Sequence, residues 1–238
     1  MLSWWLTASK GKPDKMTAWS YSSIKTFDQC PKKYYHIKVA KDVKDEGNEA
    51  SRYGNDAHAA AEEYIKNGTP IPDAYAIMRP AVETLAKFPG TKHTELKLGV
   101  RKTADGFEPC DFFAKDVWYR GIVDLLIVDG CEAHMIDYKT GKNAKYADIK
   151  QLDLMAAAVF VHFPDVLKVK SGLAFVVPNE FIKKRHVRSQ LNEYFSVFDD
   201  QLYMLEQAEE HDIWNAKTSP LCGWCPVTSC EYWRPRRK

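Results

Sequence analysis

Asp137 and Lys139 stand two residues apart in the run Met135-Ile136-Asp137-Tyr138-Lys139, and Asp124 closes the earlier run Gly121-Ile122-Val123-Asp124. Both runs are rich in β-formers, and strand alternation puts Asp137 and Lys139 on one face. Asp129-Gly130 lies between the runs and signals a hairpin turn, which brings Asp124 alongside. Two carboxylates and an ammonium on an otherwise apolar sheet are costly without compensation. A bound Mg²⁺ or Mn²⁺ supplies it, taking carboxylate oxygens and completing its shell with waters and phosphate oxygens. The chemistry such a site offers is phosphodiester hydrolysis, with Lys139 positioning or helping to deprotonate the attacking water and stabilising the pentavalent transition state. The plainer alternative is a salt bridge on a solvated strand face, and for an isolated D-x-K tripeptide it prevails. The preceding G-I-V-D run and the following Thr140-Gly141-Lys142 favour the metal site.

The elements that must position these groups follow from periodicity. A Ser-rich start at Ser20 and apolar residues at helical spacing predict a short helix through Phe27. Residues 51–66 read as a longer helix stopped by Gly68, and residues 73–88 as another, ended by Pro89-Gly90. Strands are expected at 93–100, with Leu96, Leu98 and Val100 on one face, at 117–129 and at 133–139. Residues 148–162 read as an apolar helix, 172–177 as a buried strand and 191–217 as a long amphipathic helix. The last twenty residues have no regular period. The expected fold class is α/β, a mixed central β-sheet with helices packed around it.

Composition narrows the function class only a little. The chain has 238 residues, suited to one domain with a sizeable core. Residues 1–16 read as a flexible lead and 17–238 as a single domain. A net charge of +2 does not by itself argue for nucleic acid. Two basic runs, Lys183-Lys184-Arg185-His186 and the tail from Arg234 to Lys238, read first as a solvated face and a solvated tail. No run of 18 apolar residues is present, and the apolar start Met1–Leu6 is too short for a signal peptide. The expected setting is therefore cytoplasmic, in a prokaryotic cell or for a phage-encoded protein. No G-x-x-x-x-G-K-[ST] motif occurs, so no helicase motor is expected within this chain.

Six cysteines occur, and three crowd near the end as Cys222-x₂-Cys225-x₄-Cys230. Close spacing of this kind marks metal ligands in a reducing compartment. A fourth ligand must come from elsewhere. Four cysteines suit a [4Fe–4S] cluster or structural zinc. Cys110 and Cys131 have no partner spacing and read as buried hydrophobes or free thiols.

The string G-I-V-D, then I-D-Y-K-T-G-K, then a helix opening with Gln151-Leu152 resembles the PD-(D/E)xK nuclease superfamily, in particular its RecB-like branch, which includes CRISPR-adaptation exonucleases. The resemblance extends from about Trp19 to Trp233 and implies a restriction-endonuclease-like core. Gly54-Asn55-Asp56-Ala57-His58 matches that branch's helical histidine segment, which makes His58 a further metal ligand beside Asp124 and Asp137. The branch carries Q-x-x-x-Y on the helix after the lysine strand. Gln151 matches and is expected at the catalytic site, but Met155 stands at the tyrosine position. Glu95 lies where relatives often have a glutamate and is read as supporting the site from outside the ligand set, or as a solvated strand residue. Cys30, in Cys30-Pro31-Lys32-Lys33, resembles the segment that supplies the first ligand of an iron–sulfur cluster. It would join Cys222, Cys225 and Cys230 and tie the C-terminal cluster to the N-terminal helix. One residue fewer before the last cysteine keeps zinc as the alternative.

The activity the resemblance implies is a Mg²⁺- or Mn²⁺-dependent deoxyribonuclease, an exonuclease on single-stranded DNA or DNA ends. The competing reading is a non-catalytic or weakly catalytic end-binding accessory protein in recombination or CRISPR adaptation. Partners would be DNA, and a homo-oligomer or recombination or CRISPR proteins. DNA contacts are expected from Tyr21 and Ser22 at a helix start, from Arg52 and Lys142 as phosphate contacts, and from Tyr138 as a stacking ring.

Overall fold

Ser20 opens the first helix with a reciprocal cap: its side chain accepts from Ser23 N–H, and Ser23 Oγ accepts from Ser20 N–H at 2.8 Å. The computed structural model describes residues 18–145 and 147–235. The lead expected over 1–16 and the last three residues of the basic tail lie outside the described residues. Helix α1 (Tyr21–Gln29) buries Ile24 and Phe27. Cys30 is extended, and Pro31, which needs no N–H partner, opens the short α2 (Pro31–Tyr34), which continues into a π-helical turn at Tyr35–Val39. Asn48 caps α3 (Glu49–Asn67), and Gly68 closes it in the left-handed conformation at φ +70°. The helix expected over 73–88 begins as a 3₁₀ turn, Asp73–Met78, and becomes α4 (Arg79–Ala86).

Six strands follow: β1 (Thr91–Thr103), β2 (Gly106–Cys110), β3 (Tyr119–Asp129), β4 (Glu132–Lys139), β5 (Lys168–Phe175) and β6 (Glu180–Val187). They form one sheet in the order β2-β1-β3-β4-β5-β6. Only β4 and β5 run parallel, joined by α5 (Lys150–His162). The mixed α/β sheet therefore matches the expectation from sequence. Three details do not. Strand β2 forms a hairpin with β1 that the short, proline-containing segment did not signal. The basic run at 183–186 is half of edge strand β6, where Lys183 and Arg185 keep a solvated face but His186 turns inward and is only 1% exposed. The expected helix over 191–217 is two helices, α6 (Leu191–Ser196) and α7 (Asp199–His211), the second stopped by left-handed Asp212.

Helices cover both faces of the sheet. On one face Ala57 and Ala61 of α3, with Met78 and Val82, meet Leu125, Ile127, Ile136 and Tyr138. The small α3 residues let that helix lie close. On the other face α5 is buried from Gln151 through Phe160, as a crossover helix that is apolar all round should be. It packs with Trp19, Leu98, Val123, Met135, the aromatic residues of α6, and Leu202 and Leu205 of α7. Trp19 bridges to β3 through Trp19 N–H to Trp118 O at 3.0 Å and Arg120 N–H to Trp19 O at 2.8 Å. That bridge fixes the start of α1 beside β3. No helix among the described residues is long and apolar enough to cross a membrane.

Candidate metal centre and active site

Strands β3 and β4 pair from Asp129–Glu132 up to Leu125–Ile136 and then part. Beyond that point β3 stays with β1 and β4 stays with β5. Asp124 and Asp137 are the first residues past the split, so the site sits in a fork of the sheet. The fork strands the backbone N–H of Tyr138, which the Asp124 carboxylate accepts at 2.7 Å. Asp137 is 6% exposed, and its Oδ2 meets Lys139 Nζ at 2.5 Å. That oxygen is fully buried and receives no well-directed hydrogen bond.

The other side of the fork is supplied by α3 and β1. Gly54 lies so close to the end of β4 that a Cβ there would stand 3.2 Å from Thr140 Oγ1. This approach delivers His58, one turn on, with its Nδ1 3.3 Å from Asp124 Oδ2. Pairing between β1 and β3 goes from Thr94–Leu125 to Leu96–Val123, and Glu95 and Asp124 fall in the step between. Glu95 has φ +47°, a left-handed backbone that a non-glycine residue rarely adopts. The alternation of β3 also slips here: Val123 faces α5, whereas Leu125 and Ile127 face α3. The result gathers ligand atoms of His58, Glu95 and Asp124 within 4.8 Å of one another. Glu95 thus belongs with the potential ligands rather than outside them. The sequence shows only that Glu95 and Lys97 alternate with Leu96 and Leu98 on β1; the step that turns Glu95 towards Asp124 is a backbone event.

The electrostatics point the same way. Burial, and then the neighbouring Asp124, push the Asp137 carboxyl up to about 6. Burial, Asp124 and Glu62 likewise raise Glu95. Burial pulls the His58 imidazole down, but its contact with Asp124 and the charges of Asp124 and Asp137 outweigh that and raise it. Crowded carboxylates and a nearby imidazole make a donor set that a hard divalent cation fits.

The remaining expected site residues are dispersed. Gln151 opens α5, 9% exposed, and lines a groove beside the fork with Tyr21, Ser22, Ile122 and Met155. No hydrogen bond joins it to Asp124 or Asp137. Arg52 and Lys142 are exposed and line neither the groove nor the metal cleft. Tyr138 is 3% exposed and packs under α3, with its ring 6.0 Å from that of His58. Its burial gives the ring to packing and leaves no face for a base.

Cys30, Cys222, Cys225 and Cys230 line a single cavity of about 160 Å³ between α2 and the C-terminal segment. Lys217 N–H points at Cys30 Sγ and Ser219 N–H at Cys222 Sγ, each at 3.4 Å. Lys217 Nζ donates to Asp28 O at 2.9 Å, and Lys32 pairs with Glu231, so polar contacts also link the two ends of the chain. Cys131 is exposed and Cys110 half-buried, and neither reaches the cavity.

A family model for the PD-(D/E)XK nuclease superfamily matches residues 18–230. No curated protein matches the chain. Among solved structures, one described as a "Putative exonuclease" from Eubacterium rectale is 12% identical with a TM-score of 0.52, covering 93% of this chain and 90% of its own. The crystal structure of SSO0001 is also 12% identical, with a TM-score of 0.39, covering 94% of this chain and 90% of its own. At such identity the likeness to the first speaks for the fold alone.

Proposed function

We propose that this chain, which belongs to the PD-(D/E)XK nuclease superfamily, is a divalent-metal-dependent deoxyribonuclease of the RecB-like type that degrades single-stranded DNA from its ends. The observation that carries the reading is the fork: Asp137 with Lys139 at 2.5 Å, beside the His58, Glu95 and Asp124 group. His58, Asp124 and Asp137 would hold Mg²⁺ or Mn²⁺, with Glu95 as a further ligand. When bound, the cation supplies Lewis-acid polarisation of the phosphoryl oxygen and a lowered pKa for the attacking water. Lys139 holds the Asp137 carboxylate in place and would present its ammonium where negative charge develops on the phosphoryl oxygens. Asp124 orients both strands through Tyr138 N–H and steadies His58. Gln151, at the mouth of the groove, positions the strand beside these groups.

The four cysteines sharing one cavity support a resident [4Fe–4S] cluster, with zinc as the alternative. The amides aimed at Cys30 and Cys222 favour the thiolate forms that either metal requires. Its work would be to staple the C-terminal segment to α2 in a single domain. An end-binding accessory role without hydrolysis would leave the pair of buried Asp137 and half-buried Lys139 without a task.

The test is digestion of end-labelled linear and covalently closed circular single-stranded DNA with Mn²⁺ or with EDTA. The reading expects the linear strand to shorten, the circle to survive and EDTA to stop the reaction. Cutting of the circle would replace the exonuclease with an endonuclease, and digestion in EDTA would remove the metal dependence.

A further inference from the structure

Two cavities meet at Ile122. The metal cleft, about 820 Å³, is lined by His58, Glu95, Lys97, Ile122 and Asp124. The groove, about 560 Å³, is lined by Tyr21, Lys38, Lys41, Phe112, Arg120 and Gln151, and again by Ile122. No acidic residue lines the groove. Among the described residues no carboxylate pairs with Arg120, and its Nε is buried without a hydrogen-bond partner. The chain as a whole carries only +2, so the gathering of Lys38, Lys41 and Arg120 along one groove is local.

Aromatic rings stand at the same junction. The loop before β3 carries Phe112 and Phe113, with ring centroids 5.1 Å apart at 79°. Phe113 is 69% exposed, more than any other large hydrophobic side chain among the described residues. Each ring already has a cation against it: Arg120 lies 5.7 Å from the centroid of Phe112, and Lys97 Nζ 5.7 Å from that of Phe113. Lys97 pairs directly with Ile122 across β1 and β3, and Arg120 is two residues along β3, so all three share one face. One ring and cation therefore flank the groove and the other flanks the metal cleft.

We propose that Phe112 and Phe113, with Arg120 and Lys97, form a base-stacking clamp for a few nucleotides of unpaired nucleic acid, held by Lys38, Lys41 and Arg120 and led over Ile122 into the metal cleft. The occupant is a single strand because an unpaired base offers both its faces to an exposed ring without the cost of unstacking a duplex, and the row of cations matches its phosphates. The inference deepens the nuclease reading and rests on it for the destination of the strand. Binding, however, is measured apart from hydrolysis.

The experiment is fluorescence anisotropy in EDTA, with the full chain and three labelled probes of equal length: oligo-dT, its abasic counterpart, and a blunt duplex. The wild type should bind oligo-dT more tightly than either other probe. Phe113→Ala should weaken oligo-dT by about 5- to 150-fold, the range for a lost base stack, and leave the abasic strand unchanged. Phe113→Trp should retain oligo-dT binding, and Arg120→Ala should weaken both single strands. Unchanged oligo-dT binding by Phe113→Ala overturns the clamp, as does an equal loss on the abasic strand. Tighter binding of the duplex overturns the single-strand assignment. Circular dichroism melting of each variant separates misfolding from lost contact. Failure of wild-type protein to cut with Mn²⁺, with these binding differences intact, would remove the nuclease reading and leave the clamp.

Discussion

Glu95 shows what a single residue contributes to the fork. Its left-handed φ of +47° is of a kind that costs about 1–3 kcal/mol and persists only where the surroundings enforce it. What it achieves is a third oxygen or nitrogen donor within 4.8 Å of those of His58 and Asp124, in a group that could hold a metal ion. Glu95→Gln keeps the shape and removes the charge. It should weaken Mn²⁺ binding by about tenfold or more in calorimetry, whereas Glu63→Gln, on the far side of α3, should leave it unchanged. Equal affinities would return Glu95 to the role of a solvated strand residue. The pair Asp137 and Lys139 was legible from alternation alone, because period two holds throughout β4. The place of Glu95 was not, because the step in pairing and the slipped alternation at Asp124 are backbone events that leave no mark in residue type.

At the scale of elements, the site depends on how closely α3 and α5 approach the sheet. Ala57 is fully buried one residue before His58. Ala57→Leu should overpack that contact, destabilise by about 1–3 kcal/mol in denaturant melts and reduce Mn²⁺ affinity as His58 moves off Asp124. Loss of stability without loss of affinity would mean that α3 does not set the position of the imidazole. Helix α5 is held to edge strand β6 by a buried polar chain. Lys184 Nζ lies 2.7 Å from the Asp153 carboxylate, His186 Nδ1 lies 3.3 Å from Asp153 Oδ1, and Ser171 Oγ lies 2.8 Å from His186 Nε2. Burial acts to raise Asp153, but His186 and Lys184 outweigh it and hold the carboxyl below the ordinary range. A depressed folded-state pKa contributes stability above the unfolded value of about 4 that is lost as pH falls through the folded value. The melting temperature of wild type should therefore exceed that of Asp153→Asn at pH 7, and the gap should close below about pH 4. A gap independent of pH would show that the charge on Asp153 is not what ties α5 to β6. Strand β6 escaped sequence reading because two of its three inward residues, Lys184 and His186 beside Ile182, are polar, so it lacks the apolar alternation that marks a strand.

At the scale of the molecule, the two ends of the described chain converge on one cysteine-lined cavity. The three close cysteines announce themselves by spacing. Cys30 lies 192 residues before Cys222 in the sequence and is brought to them only by the fold. If the cavity holds a [4Fe–4S] cluster, protein purified without oxygen should absorb near ~400 nm and carry about four iron atoms per chain. Cys225→Ser should lose both and melt at a lower temperature. One zinc per chain and no colour would replace the cluster with a structural zinc site, and metal-free wild-type protein melting like Cys225→Ser would remove the metal. The α/β class and the β4-α5-β5 crossover were readable because long, strongly periodic segments carry them. The break of 191–217 into α6 and α7 was not, since Val197 and Phe198 continue the apolar pattern across it.

On the proposed mechanism the fork binds a divalent cation, and Lys139 acts in the chemistry rather than in holding the ion. Mn²⁺ binding and single-turnover cutting of labelled single-stranded DNA, measured side by side, separate these two roles. Asp124→Ala should lose both binding and cutting. Lys139→Ala should bind Mn²⁺ within a few-fold of wild type and cut about 100- to 1,000-fold more slowly. Cutting by Lys139→Ala at the wild-type rate, or wild-type Mn²⁺ affinity in Asp124→Ala, would contradict that mechanism.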